Sequence, residues 1–270
     1  PEIFNLVKYA YEKDEKTQGF FRQTLYDRLL SDYNRLLDFK FKQVHFHFPD
    51  NTSFLRMHSP DKFGDELTNF RFSIKEVNKN LKPLDGYEIG KIVDGFRFVY
   101  PLFDESLFPI GSVEISVDSD FFDKIFEQNF GVDSHFLITK SIAERKMLPE
   151  SFKAFKLSYE NSKYIYSEKI REEDFHYTNA DFYSESEKKL ISIQMENSEK
   201  FIINKKYKGK YIAIYFLPIQ NIEGNKNAAY MVLYKHSDLI EQVHDNYYKM
   251  ILILILSTLL FLFYLRYKYK

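Results

Sequence analysis

Residues 45–67 read HFHFPDNTSFLRMHSPDKFGDEL. Apolar and polar residues alternate over Val44–Phe48 and again over Ser53–His58, the period of half-buried strands. Between them lies Pro49-Asp50-Asn51-Thr52, whose Asp and Asn suit a tight turn, so the spacing predicts a β-hairpin with a loop of four residues. Setting Phe48 opposite Ser53 puts Val44, Phe46, Leu55 and Met57 on one face. The other face then holds His45, His47, Phe54, Arg56 and His58, with Arg56 directly across from His45. Ser59–Asp65 follows as a loop carrying two breakers, Pro60 and Gly64.

Upstream, Ile3–Phe41 reads as one helix with only Gly19 to interrupt it, and Phe21, Leu25, Leu29, Tyr33 and Leu36 recur at helical spacing. At 1.5 Å per residue it would span roughly 57 Å, a length that bridges modules or pairs with a second copy of itself. Two shorter helices broken near Gly19 are the alternative. Downstream, Glu66–Leu81 is expected to be a helix with Leu67, Phe70, Ile74 and Val77 on its stripe. Tyr87–Val93 and Phe96–Pro101 flank Asp94-Gly95, a two-residue hairpin signal. In Gly111–Val117, Val113, Ile115 and Val117 alternate with Ser112, Glu114 and Ser116. These strands and the inserted helix make a small α+β unit around an antiparallel sheet. Asp118-Ser119-Asp120 offers caps for a helix to about Phe130.

A second, smaller sheet is expected from strands at Ser134–Thr139, Lys163–Lys169, Glu199–Asn204, Lys210–Leu217 and Ala228–His236. Turns fall at Lys208-Gly209 and Asn221–Asn225, and a helix at Glu185–Glu196. Residues 141–190 are otherwise polar and without clear period. Ser237-Asp238 caps a last helix that runs unbroken into Met250–Leu265, sixteen residues without a charge. Tyr248 and Tyr267 frame a membrane span over about 248–267, and Arg266, Lys268 and Lys270 follow it, which places that end in the cytoplasm and residues 1–247 outside. A buried core helix is the competing reading of this run. The chain opens on Pro1 and stops within its basic cluster, so a first span before Pro1 and a cytoplasmic portion after Lys270 are expected.

Composition narrows the function. With 38 Lys and Arg against 39 Asp and Glu there is no basic excess for nucleic acid. With no Cys there is no disulfide, thiolate metal site or cysteine nucleophile. No phosphate-cradling glycine loop, nucleophile elbow or framed acid–base pair is present, so no catalytic residue and no cofactor is expected.

The string FHFPDNTSFLRMHSPDKFGDEL over 46–67, followed by GYEIGKIVDGFRFVYPLFDESLFPIGSVEIS over 86–116, resembles one branch of the double Cache sensor domains. These are PAS-like extracytoplasmic ligand sensors of bacterial histidine kinases, chemoreceptors and diguanylate cyclases. The resemblance implies an α+β fold: a long N-terminal helix (1–41), a membrane-distal module (42–130), a membrane-proximal module (131–236), and a signalling helix with its transmembrane segment (237–270). It implies a sensor in the bacterial inner membrane, a homodimer through the long helix, and a ligand held by the distal module. The motif of the amino-acid-binding branch is not apparent, so that ligand class is not carried over.

In a PAS-like module one sheet face packs on the long helix and the other cups the ligand. The predicted registers place His45, His47, Arg56, His58, Arg97 and Glu114 on that second face, with Lys62, Asp65 and Arg71 closing it from above. Arginine forks suit a carboxylate, so a small anionic ligand is expected. His45 and His47, two apart on a strand, also have the spacing of metal ligands. Asp50 falls in the turn and Asp65 in the loop, so neither is clearly placed as a further ligand, and no metal is assigned. A module read through a binding-protein partner and a membrane-anchored metal-dependent hydrolase remain as alternatives.

Overall fold

The computed structural model describes residues 2–92, 94–167, 181–224 and 228–268. Parts of some predicted segments, at Pro1, Val93, Lys169, Asn225 and Lys270, lie outside these residues.

The N-terminal segment is not one helix. A 3-10 turn at Glu2–Phe4 leads into α1 (Asn5–Ala10), and α2 (Glu15–Asp38) begins only after a break. The break falls at 11–14 and not near Gly19, because Tyr11 is extended, Glu12 is left-handed (φ 61°), and Asp14 accepts from the Thr17 amide as the cap of α2. Gly19 sits inside α2.

The first sheet is antiparallel with strand order β2-β1-β5-β4-β3. Its strands are β1 (Gln43–His47), β2 (Ser53–Arg56), β3 (Leu84–Ile89), β4 (Asp94–Phe103) and β5 (Pro109–Asp118). One face packs on α1 and α2 through Val7, Ala10, Leu25, Phe46, Phe54 and Leu55, all essentially fully buried. Each such aliphatic or aromatic side chain contributes roughly 1.5–3 kcal/mol. The other face is covered by α3 (Phe72–Asn80), which buries Ile74 and Val77. The helix expected from Glu66 thus starts six residues later, and Phe70 is exposed. The Asn78 amide holds the hairpin turn through the Phe48 carbonyl (2.9 Å) and Asn51 (2.9 Å).

The β1–β2 register differs from the expected one at the turn. His45 faces Arg56 and Phe46 faces Leu55, but His47 faces Ser53. The Phe48 amide donates to Thr52, and Asn51 is left-handed (φ 72°), so the loop is Pro49–Asn51, one residue shorter than expected. Phe54 absorbs the difference as a bulge and turns onto the apolar face against Phe48 (ring centroids 4.8 Å), away from the histidines. Asp94-Gly95 is not a turn either. Ile89 pairs with Asp94 and Glu88 with Gly95, so Arg97 faces Gly86, not Ile92. Gly95 is needed for close approach: a Cβ there would collide with the Val117 carbonyl of β5.

After α4 (Ser119–Phe130) comes a second antiparallel sheet, order β7-β8-β6-β11-β10-β9. With six strands it is larger than the first, not smaller. It comprises β6 (Asp133–Thr139), β7 (Phe155–Leu157), β8 (Tyr164–Ser167), β9 (Phe201–Tyr207), β10 (Lys210–Ile219) and β11 (Ala229–His236). Three elements in the stretch without period went unseen in the sequence: β7, α5 (Lys140–Lys146) and α6 (Pro149–Phe152). Helix α7 (Glu185–Glu196) opens on a capping box between Ser184 and Glu187 and packs Ile191 and Met195 into the core of this sheet.

The two sheets are joined by a third apolar cluster in which Tyr87 and Ile89 of β3 meet Ile138, Ile142 and Ala229. The Leu148 amide also donates to the Lys91 carbonyl (2.8 Å) and the Ile222 amide to Tyr87 (2.8 Å). Finally α8 (Asp238–Lys268) has 31 residues with mean hydropathy 2.2 over its most apolar stretch, which no part of the fold buries. It is long and apolar enough to cross a membrane, and the buried core-helix reading does not hold.

Candidate functional site

The polar face of the first sheet is set by strand parity. On β1, Gln43, His45 and His47 point one way; β5 answers with Ser112, Glu114 and Ser116 in the pairs His47–Ser112, His45–Glu114 and Gln43–Ser116. Beside this face lies a cleft of about 700 Å³ between the sheet, the 58–67 loop and the segment 90–92. Of the residues expected at the site, His45, Arg56, His58, Asp65, Arg71 and Arg97 line it. His47 and Glu114 are not in its wall but directly behind it, both fully buried. His58 stands exposed at the rim.

The arginines are committed to carboxylates of the chain itself. Arg56 holds Asp65 with both prongs (2.8 and 2.9 Å) and the Lys62 carbonyl (2.6 Å). Arg71 bonds Glu88 through Nε (3.1 Å) and Glu114 through its terminal nitrogen. Arg97 bonds the second Glu114 oxygen (3.0 Å), Gln43 (2.8 Å) and the Ser116 hydroxyl (3.0 Å). Glu88 also accepts from the amide (3.2 Å) and hydroxyl (2.7 Å) of Ser73 at the start of α3. Burial opposes the charge of Glu114, but Arg71 and Arg97 outweigh it and hold the carboxyl below its ordinary range. Burial likewise opposes the charge of Arg71, and Glu114 and Glu88 outweigh it, so the guanidinium stays charged.

The histidines behave differently. His45 Nε2 meets the Ser53 hydroxyl at 2.8 Å, and His47 Nδ1 meets the Ser112 hydroxyl at 3.1 Å. Their ring centroids lie 4.0 Å apart, edge to face. Burial pushes both far below the usual histidine range; for His45 the neighbouring His47 adds to this, and for His47 the charge of Arg71 does. Both rings are therefore neutral near pH 7.

Sequence reasoning missed several members of the site. Glu88 has the parity of Ile92, which the expected register set opposite Arg97, so alternation alone could have found it; the misread Asp94-Gly95 only displaced it along the strand. Gln43 shares the parity of His45 and His47 and was findable from that alternation alone. Lys42, Lys91 and Leu148 line the cleft through tertiary folding only. Lys91 places its ammonium 3.8 Å from the centre of the Phe70 ring, and Lys42 pairs with Asp118 at 2.7 Å. His135, one of the histidines that suggested no site, is buried in the second sheet beside Glu160 (3.3 Å). Glu160 also accepts from Tyr234 (2.7 Å) and Ser158 (2.5 Å).

Two antiparallel sheets in tandem, one packed on helices through its apolar face and bordering a polar cleft with the other, joined to a long apolar helix, define the class of tandem PAS-like sensory modules. The chain belongs to the dCache_3 family, the double sensory domain of two-component sensor kinases, whose profile matches residues 22–235. It is a sensory input module. Among solved structures it is similar to an extracellular ligand binding receptor from Desulfohalobium retbaense (TM-score 0.40, 13% identity, 86% of this chain and 37% of that one). Others are a domain of a sensory box/GGDEF family protein from Vibrio parahaemolyticus (0.41, 14%, 87% and 83%) and the ligand-binding domain of the Campylobacter jejuni chemoreceptor Tlp3, solved with 4-methylisoleucine (0.43, 9%, 87% and 81%). The chain thus spans little more than a third of the first of these and most of the other two. No curated protein matches the sequence.

Proposed function

We propose that the chain is the extracytoplasmic input domain of a membrane-bound signalling receptor and that its first module recognises a small anionic molecule in the cleft. The observation that carries this reading is the charge of the lining. Lys42, Arg56, Lys62, Arg71, Lys91 and Arg97 bring six cations to the wall, against the three carboxylates of Asp61, Asp65 and Asp118. Glu88 and Glu114 neutralise Arg71 and Arg97 from behind, so those two arginines brace the wall. Asp65 holds Arg56 and Asp118 holds Lys42 in the same way, so the ligand's charge is met at the rim by Lys62 and Lys91. This revises the expectation that Arg56 and Arg97 are themselves ligand contacts.

The cleft also touches the second module. Leu148 lines it and is tied through its amide to Lys91, whose side chain is in the same wall. A ligand that draws Lys91 inward therefore strains the Leu148 contact and the apolar cluster beneath it. The second sheet ends in β11, which leads directly into α8. Coupling requires only that the ligand favour one arrangement of these contacts over another. Arg266 and Lys268 close the apolar run of α8, which fits a cytoplasmic C-terminal end with residues 1–247 outside. Exposed Phe20, Leu37 and Phe39 along and just past α2 fit pairing of two chains there.

The test is a thermal-shift screen of the detergent-solubilised chain against small mono- and dicarboxylates. At least one acid should raise the melting temperature, and the rise should vanish in Lys62→Ala with Lys91→Ala. If no acid shifts the parent, or the double variant responds equally, the anionic reading fails.

A further inference from the structure

The buried histidines of β1 are not used by this reading. Each is anchored through one ring nitrogen, His45 by Ser53 and His47 by Ser112. The second nitrogen of His47, Nε2, is buried and meets no hydrogen-bond partner among the described residues. A buried polar nitrogen left this way costs roughly 1–3 kcal/mol, so something is expected to satisfy it. The carboxylate that strand pairing brings beside the histidines is Glu114, which pairs with His45 across β1 and β5. One ligand atom from each of His45, His47 and Glu114 lies within 4.8 Å of the other two.

We infer that His45, His47 and Glu114 form a binding site for one zinc-type divalent metal ion, with an open fourth position on the side of the cleft. Three ligand atoms at most 4.8 Å apart lie within about 2.8 Å of a common centre. Zinc–nitrogen and zinc–oxygen bonds are about 2.0–2.2 Å, so closing the site takes an inward movement of about 0.7 Å per ligand. That is within the reach of small side-chain rotations. Two imidazoles and a carboxylate with one open position are a donor set typical of zinc. The serine hydroxyls occupy the place of the outer partners that orient metal-bound histidines.

Glu114 keeps acceptor capacity, because an ionised carboxylate offers about four lone-pair directions and Arg71 and Arg97 each take one. The opposing consideration is charge. Arg71 and Arg97 are balanced by Glu88 and Glu114, so a divalent ion adds positive charge to a buried site. The open position answers this. His45 is the member of the three that lines the cleft, so a hydroxide or an anionic group entering there completes the tetrahedron and offsets the ion.

The test uses no organic ligand and so is independent of the anionic reading: a failed acid screen leaves it intact, and its own failure leaves the cleft's cations untouched. The chelator-stripped chain is titrated with zinc, followed by metal analysis after desalting, and separately with cobalt, followed by visible absorption. One equivalent of zinc per chain and the intense visible band of four-coordinate cobalt are expected. Both should be lost in His47→Gln and in His45→Asn, with folding checked by circular dichroism. Ser112→Ala keeps all three ligands and should weaken zinc binding by roughly 10- to 100-fold; it decides the matter if the histidine variants fail to fold. Absence of stoichiometric metal in the parent, or undiminished binding in folded His47→Gln, overturns the inference, as does undiminished binding in Ser112→Ala where the histidine variants do not fold.

Discussion

Glu114→Gln tests what holds the polar face together. The substitution keeps the shape of the side chain and removes one negative charge from a site with no solvent exposure. Arg71 would then keep Glu88 alone of its two carboxylates, and Arg97 would lose its charge pair with Glu114 at 3.0 Å. Breaking a buried ion pair by removing one partner costs about 3–5 kcal/mol, because the remaining charge stays buried. For a protein of this size each kcal/mol lowers the melting temperature by roughly 2–4 °C, so a fall of about 6–20 °C is expected. The assay is a thermal melt of the metal-free chain followed by near-ultraviolet circular dichroism. Lys163→Ala is the control. Its partner is Glu196, and the two side chains are 66% and 56% exposed. A pair that open contributes at most about 1 kcal/mol. The pH dependence has a defined sign. The folded pKa of Glu114 is lowered, so its stabilisation is present above the ordinary value of 4.5 and is lost as pH falls below it. Glu114→Gln should remove that part of the acid sensitivity. A melt within about 2 °C of the parent would refute the claim that the arginine–carboxylate network supports this face.

The second sheet carries a comparable group. Burial raises the pKa of Glu160, but the neighbouring His135 and the bonds from Ser158 and Tyr234 prevail and bring it down to about 2. Its stabilisation should therefore be lost between about pH 4.5 and 2, and Glu160→Gln should flatten the acid limb of a stability–pH curve over that window; an unchanged limb counts against it. Gly95→Ala should destabilise by about 1–3 kcal/mol, since its Cβ meets the Val117 carbonyl and both atoms belong to paired strands. Gly19→Ala is the contrast: nothing lies near its Cβ, it is within α2, and the variant should be more stable by roughly 0.5–1 kcal/mol in a denaturant titration. Leu148→Ala should leave the zinc titration unchanged and reduce the thermal shift given by whichever acid stabilises the parent. An undiminished shift would remove Leu148 from the coupling route.

Local alternation along β1, β2 and β5 already separated the histidines, Arg56 and Glu114 from the apolar side, because strand parity is a property of the chain itself. The length and apolar character of α8 were equally plain, since a run without charges needs no partner to be recognised. The hairpin shows how far this reach extends. Arg56 does lie across from His45, but by compensation: the turn is one residue shorter than composition suggests, and a bulge at Phe54 restores the register. The Asp94-Gly95 pair misled for a related reason. A glycine that permits two strands to approach looks the same in sequence as one that makes a turn, and only the neighbouring strand distinguishes them.

What tertiary structure alone decided is which charge belongs to which. Arginines at 56, 71 and 97 read from the sequence as free cations for a ligand. In the folded chain α3 and β3 bring Glu88, and β5 brings Glu114, to within bonding distance of two of them, while the 58–67 loop turns Asp65 back onto the third. No spacing rule encodes those meetings, because they join segments up to 43 residues apart. The same strand pairing sets Glu114 beside His45 and His47 and so supplies the carboxylate that the local sequence around the histidines lacks. The sequence by itself determined the faces and the order of the elements, through alternation and hydropathy. The fold determined the partners, and with them the difference between a brace, a ligand contact and a metal site.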